Sequence, residues 1–178
     1  MKRTFQLILL FTFTLSISFI PSIVLASPQN DENPELDILV RQIMGGAYEK
    51  QSLNSQPFKI GDSLKAVEKK WGKSESKSTV VANYFDRHVS FYYDNSTKRE
   101  TITGIHDYGP QLSGVRLNEL KQKIKEIVHK DPIKEREIEG NYEVTYVAND
   151  THHIIFIFES NFPDGKNPKL LSYMIQPK

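Results

Sequence analysis

Residues 80–93 read VVANYFDRHVSFYY, and this stretch decides the fold class. Every second residue is apolar in two short runs, and the polar pair Asp86 and Arg87 separates the runs. The apolar positions are Val80, Ala82 and Tyr84 in the first run and Val89, Phe91 and Tyr93 in the second. Because side chains alternate between the two faces of a strand, this pattern predicts a β-hairpin with one buried face.

A short helix is predicted just before the hairpin. Leu64, Val67 and Trp71 recur three and four residues apart, as on the apolar face of an amphipathic helix. Gly72 follows at the position of a C-cap, so the helix is expected to end there.

The pattern of one helix followed by strands returns in the second half of the chain. Leu117, Leu120 and Ile124 repeat the spacing of the first helix. Alternating segments follow each helix, at residues 80–84, 89–93 and 101–106 after the first and 142–146, 154–158 and 171–175 after the second. We predict an α+β fold, an antiparallel sheet with helices packed on one face. We predict two tandem units of one helix and three strands, about 58–108 and 111–178, as diverged copies of one ancestor. The alternative is that the two helices share the spacing of their apolar residues by coincidence.

The chain begins with the layout of a signal peptide. Lys2 and Arg3 precede an uncharged, mostly apolar run over residues 5–20, and Pro21 follows it. We predict cleavage after Ala26, which makes the protein secreted or cell-wall associated, with no membrane attachment. The alternative is an uncleaved anchor, since about 20 apolar residues span a bilayer.

Removal of residues 1–26 leaves a flexible leader over 27–33 and a single domain over 34–178. Asn33 and Pro34 suit the N-cap and the first position of a helix. The domain is therefore predicted to open with an amphipathic helix of about three turns.

The composition excludes several classes of partner. The chain has 23 basic and 22 acidic residues, and the signal segment holds two of the basic ones, so the exported chain has 21 against 22 and a formal charge of −1. Such a balanced surface gives no sign of nucleic-acid binding. There is no cysteine, so the fold rests on its hydrophobic core and not on disulfides. We expect a monomeric bacterial protein.

The five histidines do not predict a metal site. His152 and His153 are adjacent in a predicted strand, where successive side chains point to opposite faces, so one ion cannot easily bind both. His88, His106 and His129 lie in other elements. We expect solvated or turn-capping histidines, with no metal and no cofactor.

No catalytic site is predicted. The chain lacks cysteine and any Gly-x-Ser-x-Gly motif. A serine nucleophile without a local motif, or two carboxylates that converge in space, remain alternatives. Glu135, Glu137 and Glu139 lie in a linker over 134–140 among Lys134 and Arg136, which predicts a solvated charged edge or loop.

Aromatic residues are the enriched feature, with eight Tyr, ten Phe and one Trp. Several fall in adjacent pairs, so one member of each pair is expected on the face away from the helices. Tyr84, Tyr92, Tyr142 and Tyr146 are candidates for a shallow binding face, because tyrosine combines a large contact area with a polar tip. The alternative is that they are ordinary strand residues in cross-strand pairs.

The helix just before the hairpin resembles a unit of a known fold. A glycine leads into it, and an aromatic residue and a second glycine close it. These residues are Gly61, Leu64, Val67, Trp71 and Gly72. With the strands that follow, they resemble the unit of the β-lactamase-inhibitor-protein-like fold. Over about residues 35–178 the chain is also similar to the YjgB-like secreted proteins of Gram-positive bacilli, a family of unknown function. The fold resemblance implies a concave sheet surface for protein partners without catalytic apparatus, and no inhibitory residue carries over.

These observations predict a secreted, non-enzymatic module that binds a protein partner at the cell envelope through a sheet face. An envelope hydrolase of unrecognised type is one alternative, and a binder of a small molecule or cell-wall fragment is another. A deep pocket that gathers histidine, serine or carboxylate groups favours the enzyme, whereas a broad tyrosine-rich face favours the binding module.

Overall fold

The computed structural model describes residues 33–96, 98–159 and 167–178 of the 178-residue chain. The helices are α1 (Pro34–Tyr48), α2 (Leu64–Trp71) and α3 (Leu117–Val128). The strands are β1 (Ser76–Lys77), β2 (Val81–Tyr84), β3 (Val89–Asp94), β4 (Thr101–Asp107), β5 (Lys134–Ile138), β6 (Asn141–Val147), β7 (His152–Glu159) and β8 (Leu170–Pro177). The predicted signal peptide, its cleavage site and nearly all of the predicted leader lie outside the described residues.

The strands form one eight-stranded sheet in the order β1-β2-β3-β4-β8-β7-β6-β5, and every pair of neighbours is antiparallel. This confirms the predicted α+β class. Four strands follow α2 and four follow α3, which corrects the three predicted after each helix, because the edge strands β1 and β5 lack apolar alternation. The last strand of each set, β4 or β8, pairs with the other. The order therefore reads the same outward from the β4–β8 pair, while the duplication itself stays a prediction.

All three described helices pack on one face of the sheet, as predicted. One buried cluster joins α1 and α3 to β6, β7 and β8 and includes Ile43 and Phe156. A second cluster joins α2 to β2, β3 and β4 and includes Phe91. Ile105 and Ile175 lie opposite each other across the β4–β8 pair, and both are fully buried. The two clusters therefore lie on the same side of one continuous sheet.

Side-chain caps fix the starts of α1 and α2. Asn33 Oδ1 accepts a hydrogen bond from the Leu36 backbone N–H at 3.2 Å, which confirms the predicted N-cap. Ser63 Oγ accepts from the Lys65 N–H at 3.2 Å at the start of α2. Gly72 ends α2 with φ +92°, a conformation that a residue with a Cβ rarely adopts.

The linker predicted over residues 134–140 is wrong, because β5 (Lys134–Ile138) lies there and pairs with β6. Glu139 and Gly140 connect the two strands in a two-residue turn, with φ +46° and +83°. β5 shows no apolar alternation because it is an edge strand, and four of its five residues are exposed. The charged edge expected from Glu135 and Glu137 is confirmed.

Two adjacent glycines in the last part of α1 have different surroundings. A Cβ added to Gly46 meets the backbone oxygen of Gln51 at 2.9 Å, whereas a Cβ added to Gly45 meets no atom within 4 Å. We expect Gly45→Ala to raise the free energy of unfolding by about 0.5–1 kcal/mol, because glycine costs a helix that much relative to alanine. We expect Gly46→Ala to lower it by about 1–3 kcal/mol, because the backbone must move. Urea unfolding of the two variants measures both values, and a loss of stability in both contradicts the prediction.

Candidate binding face

The side of the sheet away from the helices, called here the distal face, is defined by strand register. On β3, Val89 and Phe91 belong to the cluster beneath α2, so Ser90 between them points to the other side. The cross-strand partners of Ser90 continue this row on both sides. Over the six inner strands these positions are Asn83, Ser90, His106, Met174, Ile155 and Thr145, called here the distal row. At the two edges of the sheet the register continues to Ser76 on β1 and to Lys134 on β5.

The distal row mixes uncharged polar and apolar groups. None of the three described helices packs against it. Ser90, Ile155 and Thr145 are buried, whereas His106 and Met174 are partly exposed. Protein interfaces have few charged residues and many methionine and aromatic residues at their centres. The row shares two of these features, the lack of charge over its six positions and the presence of Met174.

The His106 ring of the row belongs to a group of three rings at the end of β4, together with Tyr108 and His88. The Tyr108 ring lies edge-on to the rings of His106 and His88, with centroids 5.6 Å and 6.2 Å away. His106 Nε2 and Tyr108 OH are buried and have no hydrogen-bond partner in the described part of the chain. Burial lowers the pKa of His106, partly offset by the charge of Asp107, so the imidazole is neutral at neutral pH. A buried polar group without a partner costs about 1–3 kcal/mol, so both atoms gain from a new hydrogen bond.

Asp107 lies on the helix side of β4 and anchors the loop that precedes α2. Its fully buried carboxylate accepts hydrogen bonds from the Asn54 backbone N–H at 2.8 Å, Asn54 Nδ2 at 2.9 Å, the Gly109 N–H at 3.1 Å and Tyr173 OH at 3.2 Å. Tyr173 OH in turn accepts from the Leu53 N–H at 2.9 Å. Burial, and then the charge of Asp107, raises the pKa of Tyr173 well above its ordinary value. Because neutral donors satisfy the carboxylate, we interpret it as a structural anchor.

The structure places one of the four predicted tyrosines on the distal face. Tyr92 lies two residues from Ser90 on β3, opposite Gly104 of β4, and its side chain is partly exposed. A partner at this face therefore has access to the Tyr92 ring, and its role in binding stays a prediction.

The other three tyrosines lie on the helix side, which corrects their expected orientation. Tyr84 and Tyr146 are only 2% and 1% exposed and belong to the two core clusters. Tyr142 packs against the core beneath α3 and donates a hydrogen bond to Glu135 at 2.5 Å. Each tyrosine lies an even number of residues from a core residue of its own strand, so its side chain points to the helix side. A partner at the distal face therefore cannot contact it.

The histidines differ from the expectation in two places. His152 is 6% exposed on the helix side of β7, and His106 is only partly exposed with its Nε2 buried, so neither is a fully solvated residue. Burial lowers the pKa of His152, and the charge of Lys50 lowers it further. His88 and His129 have φ +54° where a turn or helix ends, as expected for turn residues.

The described residues contain neither a cluster of metal ligands nor a membrane-spanning helix. No group of three or more His, Asp or Glu side chains there is placed to hold a metal ion. No helix within the same residues has the length and apolar character needed to cross a membrane.

The fold and the distal face together define an α+β domain with a single antiparallel sheet and helices on one side. A family model described as a domain of unknown function, DUF4309, matches residues 40–174, and the chain therefore belongs to this family. No curated protein and no solved structure matches the chain. The similarity to the YjgB-like proteins and the inhibitor-like fold stay predictions.

Proposed function

We propose that the protein is an exported, non-enzymatic module that binds a protein partner at the cell envelope through the distal face. The observation that carries the proposal is the uncharged distal row, which includes the unpaired His106 Nε2 and has the unpaired Tyr108 OH beside it. A partner would contact the partly exposed Met174 and Tyr92. It would also offer hydrogen bonds to the two unpaired atoms, which requires a movement of the side chains that exposes them.

The width of the row favours a protein over a small ligand. It crosses six strands, from β2 to β6. Neighbouring strands lie about 4.8 Å apart, so the row spans about 24 Å. Small ligands are held in clefts that enclose most of their surface. A row of this width matches one side of a standard protein interface, which covers about 800 Å² per partner.

The cellular location is proposed from residues 1–26, whose charge and hydropathy have the layout of a signal peptide. The tandem units and the inhibitor-like architecture belong to the same proposal. The strand order, which reads the same outward from the β4–β8 pair, supports a duplicated unit of one helix and four strands. Such a duplication would build the continuous face that a partner binds.

Substitutions on the distal face are expected to weaken partner binding. Met174→Lys places a charge at the centre of an uncharged row, and Tyr92→Ala removes an accessible ring. We expect the purified protein to retain one envelope protein from extracts at near-equal stoichiometry, and each variant to bind it at least about tenfold more weakly, which is about 1.4 kcal/mol. Binding is measured by titration with the retained protein.

The matched control is Ile38→Lys, because Ile38 is 57% exposed and lies on α1, on the other side of the sheet. It should bind as the unchanged protein does. Weakening by Ile38→Lys but not by the distal substitutions contradicts the proposal. Turnover of wall fragments without a protein partner favours the hydrolase alternative.

A further inference from the structure

A second candidate site lies on the helix side, in a cleft of about 360 Å³ where α1 and α3 end. We call it the α1–α3 cleft. Its apolar lining is Met44, Ile127, Val128 and Ala148. Sites for small ligands usually measure about 300–1,000 Å³, so this cleft lies at the lower end of that range and has room for the last residue or two of a peptide.

The charged groups of the cleft are both cationic. Arg41 and Lys130 line it, and none of the described residues that line it is acidic. Lys130 Nζ donates hydrogen bonds to the carbonyl oxygens of Val147 at 2.6 Å and Ala148 at 3.2 Å. These bonds fix the ammonium group and leave its charge uncompensated. The Arg41 guanidinium has no hydrogen bond or ion pair within the described residues. A second cavity, of about 570 Å³ near the start of α1, is lined by Glu35 and Glu119 and by no cation.

Gly45 adds an observation that is independent of the charges. It lines the cleft, and an added Cβ would meet nothing within 4 Å. Gly46 is explained by its close approach to the Gln51 oxygen, but no packing contact requires a glycine at position 45. A glycine inside a helix costs about 1 kcal/mol, so a missing side chain there calls for another reason. Gly45 is exposed at the mouth of the cleft, so the absence of a side chain there leaves the cleft open.

The ends of the two helices limit what can bind. Each contributes a partial negative charge of about half a unit, so the two full positive charges of Arg41 and Lys130 still favour an anion. α3 ends at Val128, and no backbone N–H of the following turn bonds its last carbonyls among the described residues. The cleft thus offers cations, carbonyl acceptors and an apolar lining in close proximity.

We propose that the α1–α3 cleft binds the C-terminus of a polypeptide that ends in a large apolar residue. The terminal carboxylate pairs with Arg41 and Lys130, the last side chain fills the apolar lining, and the last amide N–H donates to the carbonyls at the end of α3. This site is separate from the distal face, because α1 and α3 pack on the opposite side of the sheet. Either site can fail without the other.

The probe is acetyl-Gly-Gly-Leu with a free carboxylate, and its matched control is the same peptide with a C-terminal carboxamide. We expect saturable binding of the acid and at least about tenfold weaker binding of the carboxamide, because a hydrogen bond to a charged group contributes about 1.5–3 kcal/mol. Chemical shifts of the purified protein during titration report both the affinity and the position of the probe. Equal affinity of acid and carboxamide contradicts the proposal.

Three variants separate charge from shape. Arg41→Gln is expected to weaken binding of the acid about tenfold, and Gly45→Leu is expected to abolish it by filling the cleft. Gly45→Ala leaves room and should bind nearly as the unchanged protein does, so it controls for changes in α1. Unchanged affinity in Gly45→Leu overturns the location. Binding of 4-methylpentanoate as tight as that of the peptide overturns the assignment to a polypeptide terminus.

Discussion

Asp107→Ala is expected to lower the free energy of unfolding by about 3–5 kcal/mol, the largest effect of any substitution considered. The carboxylate is fully buried and accepts four hydrogen bonds from Asn54, Gly109 and Tyr173. Alanine leaves those donors buried without an acceptor. Urea unfolding followed by circular dichroism measures the loss.

Two further variants show whether the hydrogen bonds cause the effect. Asp107→Asn keeps the shape of the side chain, but its NH₂ group replaces an acceptor oxygen and faces N–H donors. It should therefore lose most of the free energy of unfolding that Asp107→Ala loses. Asp86→Ala removes an exposed carboxylate and should leave the unfolding midpoint unchanged. A loss below about 1 kcal/mol in Asp107→Ala would show that the carboxylate does not anchor the loop.

Two buried tyrosines of the same core cluster are expected to respond oppositely to the loss of their hydroxyl groups. Tyr173 OH donates to Asp107 and accepts from Leu53 N–H, so Tyr173→Phe should lower the free energy of unfolding by about 2–3 kcal/mol. Tyr146 OH is buried without a partner in the described residues. Tyr146→Phe should therefore leave stability unchanged or raise it by up to about 1 kcal/mol.

This comparison controls for ring size and burial, because both side chains are at most 1% exposed and each loses one oxygen. Urea unfolding of the two variants under the same conditions gives the difference between their free energies of unfolding. Equal losses would mean that Tyr146 OH has a partner or that the Tyr173 bonds contribute little.

The sequence predicted the elements whose apolar residues have a regular period. The alternation in residues 80–93 predicted the β2–β3 hairpin, and the spacing of Leu64, Val67 and Trp71 predicted α2. β5 and the two-residue β1 were missed, because edge strands exposed to solvent carry no apolar alternation. The signal available for β5 was the Glu139–Gly140 pair, which suits a tight hairpin turn.

The orientation of the tyrosines could not be deduced from adjacency alone. One member of each pair must face away from the helices, but which member does so depends on the phase of the strand. Tyr84 is in phase with Ala82, which is fully buried, and this pattern was visible in the sequence. The phase of the core residues is therefore a better guide than the pairing of aromatics.

The cluster of Asp107, His106 and Tyr108 was not predicted as a unit. Its partners Asn54 and Tyr173 are 53 and 66 residues from Asp107 along the chain, and only the sheet brings them together. The local signal was a charged residue at the end of a predicted strand, just before a Gly-Pro pair. Register across β4 and β8 fixes the distal row in the same way, and a single sequence does not reveal it.

Site-specific photo-cross-linking in envelope extracts tests most directly whether the helix-free side of the sheet is where a partner docks. A benzophenone side chain is introduced at position 92 in one variant and at position 38 in another. The account predicts a single adduct of defined mass from position 92 and none from position 38. An adduct from position 38 alone, or no adduct from either position, would contradict it.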